Sequence, residues 1–189
     1  MIRRFGGASG LAVQPQGLDL GLGGSNIKSV QSGEVTISNG TDTQNVTIAP
    51  IDVTKSIVLV CTSPGTSSTP GALLIKAKMA TATNLELKRY STANAVVVSW
   101  QVVEFNNVKS KQSGYLVIDN AHLTSTVAIS AVDTNKYMLL ISFGCDRIEN
   151  YNQFMVVEYR LTNSTTIDFR HFHGNLANHY IEWQVIEFN

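Results

Sequence analysis

The most chemically suggestive spacing in the chain is a pair of imidazoles. His171 and His173, in "FRHFHGN", are two residues apart and would project from one face of a strand. Two histidines so placed can begin a metal site, but completion needs a third ligand of suitable type, and only His179, beyond a turn, is at hand. Arg89 and Ser91 occupy the corresponding places in the first half of the chain, so no metal is expected and the pair reads as a polar strand end. Cys61 and Cys145 are the only cysteines. That count excludes a disulfide framework or a four-ligand cysteine site, and both are expected to be buried free thiols.

No nucleophile stands beside a base. The Ser- and Thr-rich stretches "TSSTPG" and "LTNSTT" have the composition of loops and strand ends, without a G-x-S-x-G context. "GLGGSN" at 21–26 lacks both the lysine and the following helix of a phosphate loop. Sequons at Asn39, Asn45 and Asn163 are expected to be idle, because the chain start has no continuous apolar segment of a secretory signal. Glu104 and Glu187, in "SWQVVEFNN" and "EWQVIEFN", have no partner acid beside them and are expected to be hydrogen-bonded structural carboxylates. Neither a catalytic residue nor a cofactor is expected.

Bulk composition narrows the partners. Of the 189 residues, 15% are charged and 43% apolar, with a formal net charge of zero, which suits a folded chain rather than a disordered one. No segment holds the surplus of Lys and Arg that phosphate binding needs, so nucleic acid is not an expected partner. Nor is a membrane, since no apolar run approaches the roughly eighteen residues a crossing requires.

The elements that carry these residues are fixed by a duplication. "KSVQSGEVTISNGTDTQNVTIAPIDVTK" at 28–55 lies without a gap over "KSKQSGYLVIDNAHLTSTVAISAVDTNK" at 109–136. Identities include Lys28/Lys109, Gln31/Gln112, Gly33/Gly114, Ile37/Ile118, Asn39/Asn120, Asp52/Asp133 and Lys55/Lys136, and the match closes on Trp100/Trp183 and Phe105/Phe188. The expected organisation is an arm at 1–26 and two tandem modules at 27–106 and 107–189. "ALLIKAKMA" alone could be a helix, but its counterpart "MVVEYRLTN" alternates as a strand.

Strands are therefore expected near 34–38, 45–49, 56–62, 72–79, 84–90 and 95–105, and again near 115–119, 126–130, 137–143, 154–161, 166–172 and 179–188. The fold class is all-β, two tandem β-sandwich modules of jelly-roll or Ig-like kind. Strand phase places Leu73, Ile75, Ala77 and Met79 inside, like Met155, Val157, Tyr159 and Leu161, and sends Lys76, Lys78, Glu158 and Arg160 to solvent. In the closing strands Trp100 and Trp183 are expected as buried anchors, Ser99, Gln101, Glu182 and Gln184 as outward residues, and Phe105 and Phe188 as apolar on the opposite face. "SIVLV" and "YMLLISF" alternate poorly, which suits cover on both faces, within a sandwich or against another subunit.

Tyr90, His171, Phe172, His173 and Tyr180 form a candidate contact surface, because exposed aromatics on a sheet mark such surfaces. The glycine-rich arm could not make a core. Arg3, Arg4 and Phe5 open it, and Leu18, Leu20 and Leu22 alternate as an added strand would, so a neighbouring chain is expected to order it.

The opening "IKSVQSGEVTISNG", the central "DVTKSIVLV" and the closing "VSWQVVEF" resemble small β modules of tailed-bacteriophage virion structural proteins that end in [SW]-x-V-V-E-F. Both copies carry the pattern, so it spans about 160 residues. Where such modules close on S-Y-E-V-V-E-F, a Gln stands here in place of an acid. The resemblance implies a non-enzymatic virion protein, made in the host cytoplasm, that decorates the head or dresses the tail. Its partners would be other virion proteins and copies of itself, with a homotrimer presenting six like modules favoured. The alternative is a receptor- or glycan-binding module at the tail tip or fibre.

Overall fold

The computed structural model describes residues 26–63, 70–146, 157–171 and 178–189. Arg3, Arg4, Phe5, Leu18, Leu20, Leu22, Met155, Phe172 and His173 lie outside the described residues. The first module contains β1 (Ile27–Ile37), β2 (Thr43–Thr47), β3 (Ser56–Ser63), β4 (Lys76–Thr81), β5 (Asn84–Lys88) and β6 (Val96–Phe105). The second repeats them as β7 (Val108–Ile118), β8 (Thr124–Ala128), β9 (Tyr137–Cys145), β10 (Val157–Asn163), β11 (Thr166–His171) and β12 (His179–Phe188). Sheets β1-β6-β3 and β2-β5-β4 form the first sandwich, and β7-β12-β9 and β8-β11-β10 the second, so the two modules have the same strand order. All pairings are antiparallel. Among the described residues no helix is long and apolar enough to cross a membrane.

Each core lies between the two sheets of its module. Ile37, Val58, Val98 and Trp100 from one sheet meet Ala77, Leu85 and Leu87 from the other. In the second module Ile118, Ile181 and Trp183 meet Val157, Ile167 and Phe169. A third apolar cluster joins the modules, with Ile57, Val103, Phe105 and Ile186 packed with Leu140 and Phe188. Phe105 and Phe188 meet edge to face at 5.2 Å between ring centres, so the two closing strands touch at their ends.

The strand phase explains why Gly and Trp recur together. Gly33 is cross-strand partner to Trp100, and Gly114 to Trp183. Each indole lies against its glycine, where an added Cβ would meet Trp100 Cζ2 at 2.8 Å and Trp183 Cζ2 at 2.6 Å. Gly114→Ala is expected to cost about 1–3 kcal/mol by overpacking, read from the midpoint of urea unfolding. A cost below about 0.5 kcal/mol, the range of ordinary surface changes, would mean the indole does not lie there.

Several expectations are corrected. β1 and β7 begin seven residues earlier than the apolar alternation suggests, at Ile27 and Val108 rather than 34 and 115, because their first halves carry polar side chains with structural partners. The segment read as a strand over 72–79 opens with a 3-10 turn at Pro70–Leu73 and becomes a strand only at Lys76. Cys61 is exposed, whereas Cys145 is buried. Tyr159, placed inside by phase, is exposed on edge strand β10.

Candidate functional site

The residues that recur between copies lead first to the two glutamates. Glu104 accepts hydrogen bonds from Lys28 Nζ at 2.8 Å, Ser29 Oγ at 3.1 Å and the Asp52 amide at 3.1 Å. Glu187 accepts the same set from Lys109 Nζ at 2.8 Å, Ser110 Oγ at 3.0 Å and the Asp133 amide at 2.8 Å. Adjacent residues on a regular strand point to opposite faces, yet here a Lys and the following Ser reach one carboxylate. The register shifts at Ile27/Ser29 and Glu187/Phe188 supply the reason, since each leaves the lysine as an extra, bulged residue.

Hydrogen bonds from Lys109 and the Asp133 amide pull the Glu187 pKa down to about 2. Burial pushes Glu104 up, but its bonds to Lys28, the Asp52 amide and Ser29 outweigh that and hold it below the ordinary carboxylate value. Both are anions locked in place, without the raised pKa of a general acid.

Gln31 and Gln112 act as peptide surrogates. The Gln31 side-chain amide accepts from Ala49 N at 2.8 Å and donates to Ala49 O at 3.0 Å, and Gln112 binds both backbone groups of Ser130 in the same way. At the far end of each module Arg89 and His171 are equivalent, each with its backbone amide on a matching carbonyl, Asp42 or Leu123. Arg89 is completely buried and donates to the carbonyls of Thr41, Ser38 and Asn94.

His171 is also buried, which removes it from the proposed contact surface. Its Nε2 bonds the His122 carbonyl at 2.5 Å, and its ring stacks on His179 at 4.6 Å. Stacked imidazoles do not converge their nitrogens on one point. Among the described residues no group of three His, Cys, Asp or Glu side chains could hold a metal.

The unexpected feature is the seam between modules. The outer face of sheet β7-β12-β9 covers the edge strands β3 and β4 of the first module. Gln184 accepts from Val58 N at 3.0 Å and donates to Val58 O at 3.1 Å, completing the open edge of β3. Ser142 Oγ does the same for β4, accepting from Ala77 N at 2.9 Å and donating to Ala77 O at 3.2 Å. Unpaired strand edges invite foreign strands, and here side chains of the sister module occupy them. Lys76 pairs with Glu182 at 2.9 Å and lies 4.0 Å over the Tyr115 ring. Lys76, Glu182 and Gln184 are therefore buried, against the expectation that they face solvent.

A cleft of about 680 Å³ runs along this seam, lined by Lys76, Lys88, Lys111, Tyr90, Tyr115 and Glu182 among others. Tyr90 stacks on Tyr180 with ring centres 3.7 Å apart, and its hydroxyl lies 3.5 Å from that of Tyr115. The flat approach of Tyr90 depends on Gly144, where a Cβ would meet the ring at 2.7 Å. Burial and the Tyr115 hydroxyl push the Tyr90 pKa up. Burial lowers Lys111 to about 8, with its Nζ donating to the Val53 carbonyl at 2.8 Å.

The structure thus brings Tyr90 and Tyr180 together, as a seam contact rather than as separate exposed rings, and places Trp100, Trp183, Phe105 and Phe188 in apolar clusters. Phe172 and His173 lie outside the described residues. Sequence reasoning missed Lys76, Lys111, Tyr115, Ser142, Glu182 and Gln184 as seam residues. A usable signal was present. Ser99, Glu34 and Val30 stand where the second copy has Glu182, Tyr115 and Lys111, and such differences mark places where one copy does something the other does not.

The class defined by these observations is a tandem all-β protein in which recurrent side chains hold each module together, and recurrent Gln184, Phe105 and Phe188 join the modules along with divergent Tyr115, Ser142 and Glu182. Comparison with protein-family models, curated proteins and solved structures finds no match to the chain.

Proposed function

We propose that this protein is a non-enzymatic structural component of a tailed-bacteriophage virion, a head decoration or tail-accessory protein that works by assembling with other virion proteins and with copies of itself. The observation that carries the reading is the fate of the duplicated side chains. Lys28/Lys109, Gln31/Gln112, Glu104/Glu187 and Trp100/Trp183 are all engaged within their own module, which suits a rigid building unit. The likeness of the repeat ends to virion modules supports a place in the particle. Three chains in a ring would present six like modules, suited to a sixfold or quasi-sixfold surface.

A second reading, receptor or glycan binding at the tail tip, is favoured by one observation, the seam cleft with Tyr90, Tyr115 and several lysines. Imaging of the particle with this chain labelled distinguishes them. An array of many copies on the head or along the tail is expected. A handful at the tail end would favour the second reading, and absence from the particle would overturn both.

A further inference from the structure

We propose that the outer face of sheet β1-β6-β3, at Leu59 and Gln101, is the docking surface for the β9–β10 edge of a second copy of this chain, which therefore associates head to tail through a repeat of its own internal seam. The first module contributes its edge, β3 and β4, with Ile57, Val103 and Phe105 from one end of its face, and the second its face. The rest of the first module's face, at Leu59 and Gln101, and the second module's edge are left open by the described residues. No strand pairs with the outer side of β9 or β10 among the described residues.

The free face keeps the glutamine and the leucine at the centre of the other one. Gln101 and Gln184 occupy the same register position, opposite Leu59 and Leu140 respectively. Gln184 clamps the Val58 backbone, whereas the Gln101 side chain is exposed and has no partner among the described residues. Leu59 is 37% exposed, while Leu140 is packed in the inter-module cluster. Cys61 stands where Ser142 bridges Ala77, as the pairings Cys61↔Ser99 and Ser142↔Glu182 show.

Even the depression recurs. A groove of about 450 Å³ over Gly33 and Trp100 matches the part of the seam cleft over Gly114 and Trp183, which the first module roofs.

The free edge matches as well. Leu139 pairs with Val185 as Val58 pairs with Val102, so its outward backbone groups are placed for a glutamine amide. Met138 is the counterpart of Ile57. Ile57 is 3% exposed in the seam and Met138 37%. Leu59 and Met138 are thus exposed where their counterparts Leu140 and Ile57 pack in the inter-module cluster.

The other polar contacts are not repeated, since Val30, Glu34 and Cys61 stand where Lys111, Tyr115 and Ser142 do. Glu158 stands where Lys76 does and Ser99 where Glu182 does, with Ser99 already hydrogen-bonded to Glu34 at 2.9 Å. The contact between chains therefore brings two carboxylates together, is weaker than the internal seam, and strengthens with salt that screens them.

This inference deepens the assembly reading above, and it is tested on purified protein, so that either can fail without the other. Sedimentation of the full chain should show mass rising with concentration, and more steeply at higher salt. Leu59→Glu and Met138→Glu each put a charge into the apolar part of the contact and should weaken self-association about a hundredfold or more. Because the contact is heterologous, the two variants spoil opposite halves. Mixed together they should form heterodimers through the intact edge of one and the intact face of the other. Gln101→Ala, at an exposed side chain without partners among the described residues, should weaken association with an unchanged melting temperature. A wild-type chain that stays monomeric throughout would overturn the proposal. So would one variant that still self-associates like the wild type, or a mixture no heavier than its components.

Discussion

Alanine in place of Arg89 is expected to lower stability by about 3–5 kcal/mol, since it combines a large buried void with carbonyls left without donors. The guanidinium reaches Thr41 O at 2.8 Å, Ser38 O at 2.6 Å and Asn94 O, so one side chain closes two loops at the end of the first sandwich. Burial lowers its pKa from the ordinary arginine value, and carbonyl dipoles rather than a carboxylate hold the charge.

Geometry separates charge from shape. Arg89→Lys keeps the cation but not the planar fork, and should recover little. Arg89→His should fall between, because His171, the counterpart residue, makes the one equivalent bond, to the His122 carbonyl that matches Thr41. Urea unfolding of the three variants checks the order. Equal stability of Arg89→Ala and the parent would mean that the loops close without the guanidinium.

Arg89 also shows where a sequence stops being readable. The duplication, the strand pattern and the two tryptophan anchors were legible because apolar alternation and identity between copies report contacts inside one module. Glu104 and Glu187 were legible as structural for the same reason, although their partners were not, since the bulge that turns Lys28 and Ser29 toward one carboxylate leaves no mark on periodicity. The first halves of β1 and β7 read as loops because "KSVQSG" and "KSKQSG" are polar, and they are polar because they serve Glu104, Glu187, Ala49 and Ser130.

The seam was illegible for a different reason. A lysine, a glutamate and a glutamine alternating with apolar residues describe a solvent-facing row, and nothing local says that a second module will cover it. "YMLLISF" hinted at cover on both faces. It receives that cover, with Leu139 and Ile141 turned to the core and Leu140 and Ser142 to the first module. "SIVLV" is covered only in part, since Ile57 and Val58 are buried and Leu59 is not.

The ion pair at that seam provides the sharpest test of it. Lys76→Ala leaves Glu182 buried without its cation, and breaking a buried pair in this way costs about 3–5 kcal/mol when the carboxylate cannot escape to water. Here an escape exists. The modules can part and rehydrate Glu182, so the cost is capped by the free energy that holds the seam closed. The expected result is a loss of coupling, in which a chain that melts in one transition comes to melt in two, one for each module.

Replacing both members, Lys76→Met with Glu182→Leu, removes the uncompensated charge while keeping the contact filled. It should restore the single transition at a stability equal to or above the parent. Calorimetry of the parent, the single variant and the double variant completes the comparison. If Lys76→Ala costs no more than about 0.5 kcal/mol, as an exposed pair would, and the melt is unchanged, the seam does not bury this pair in solution.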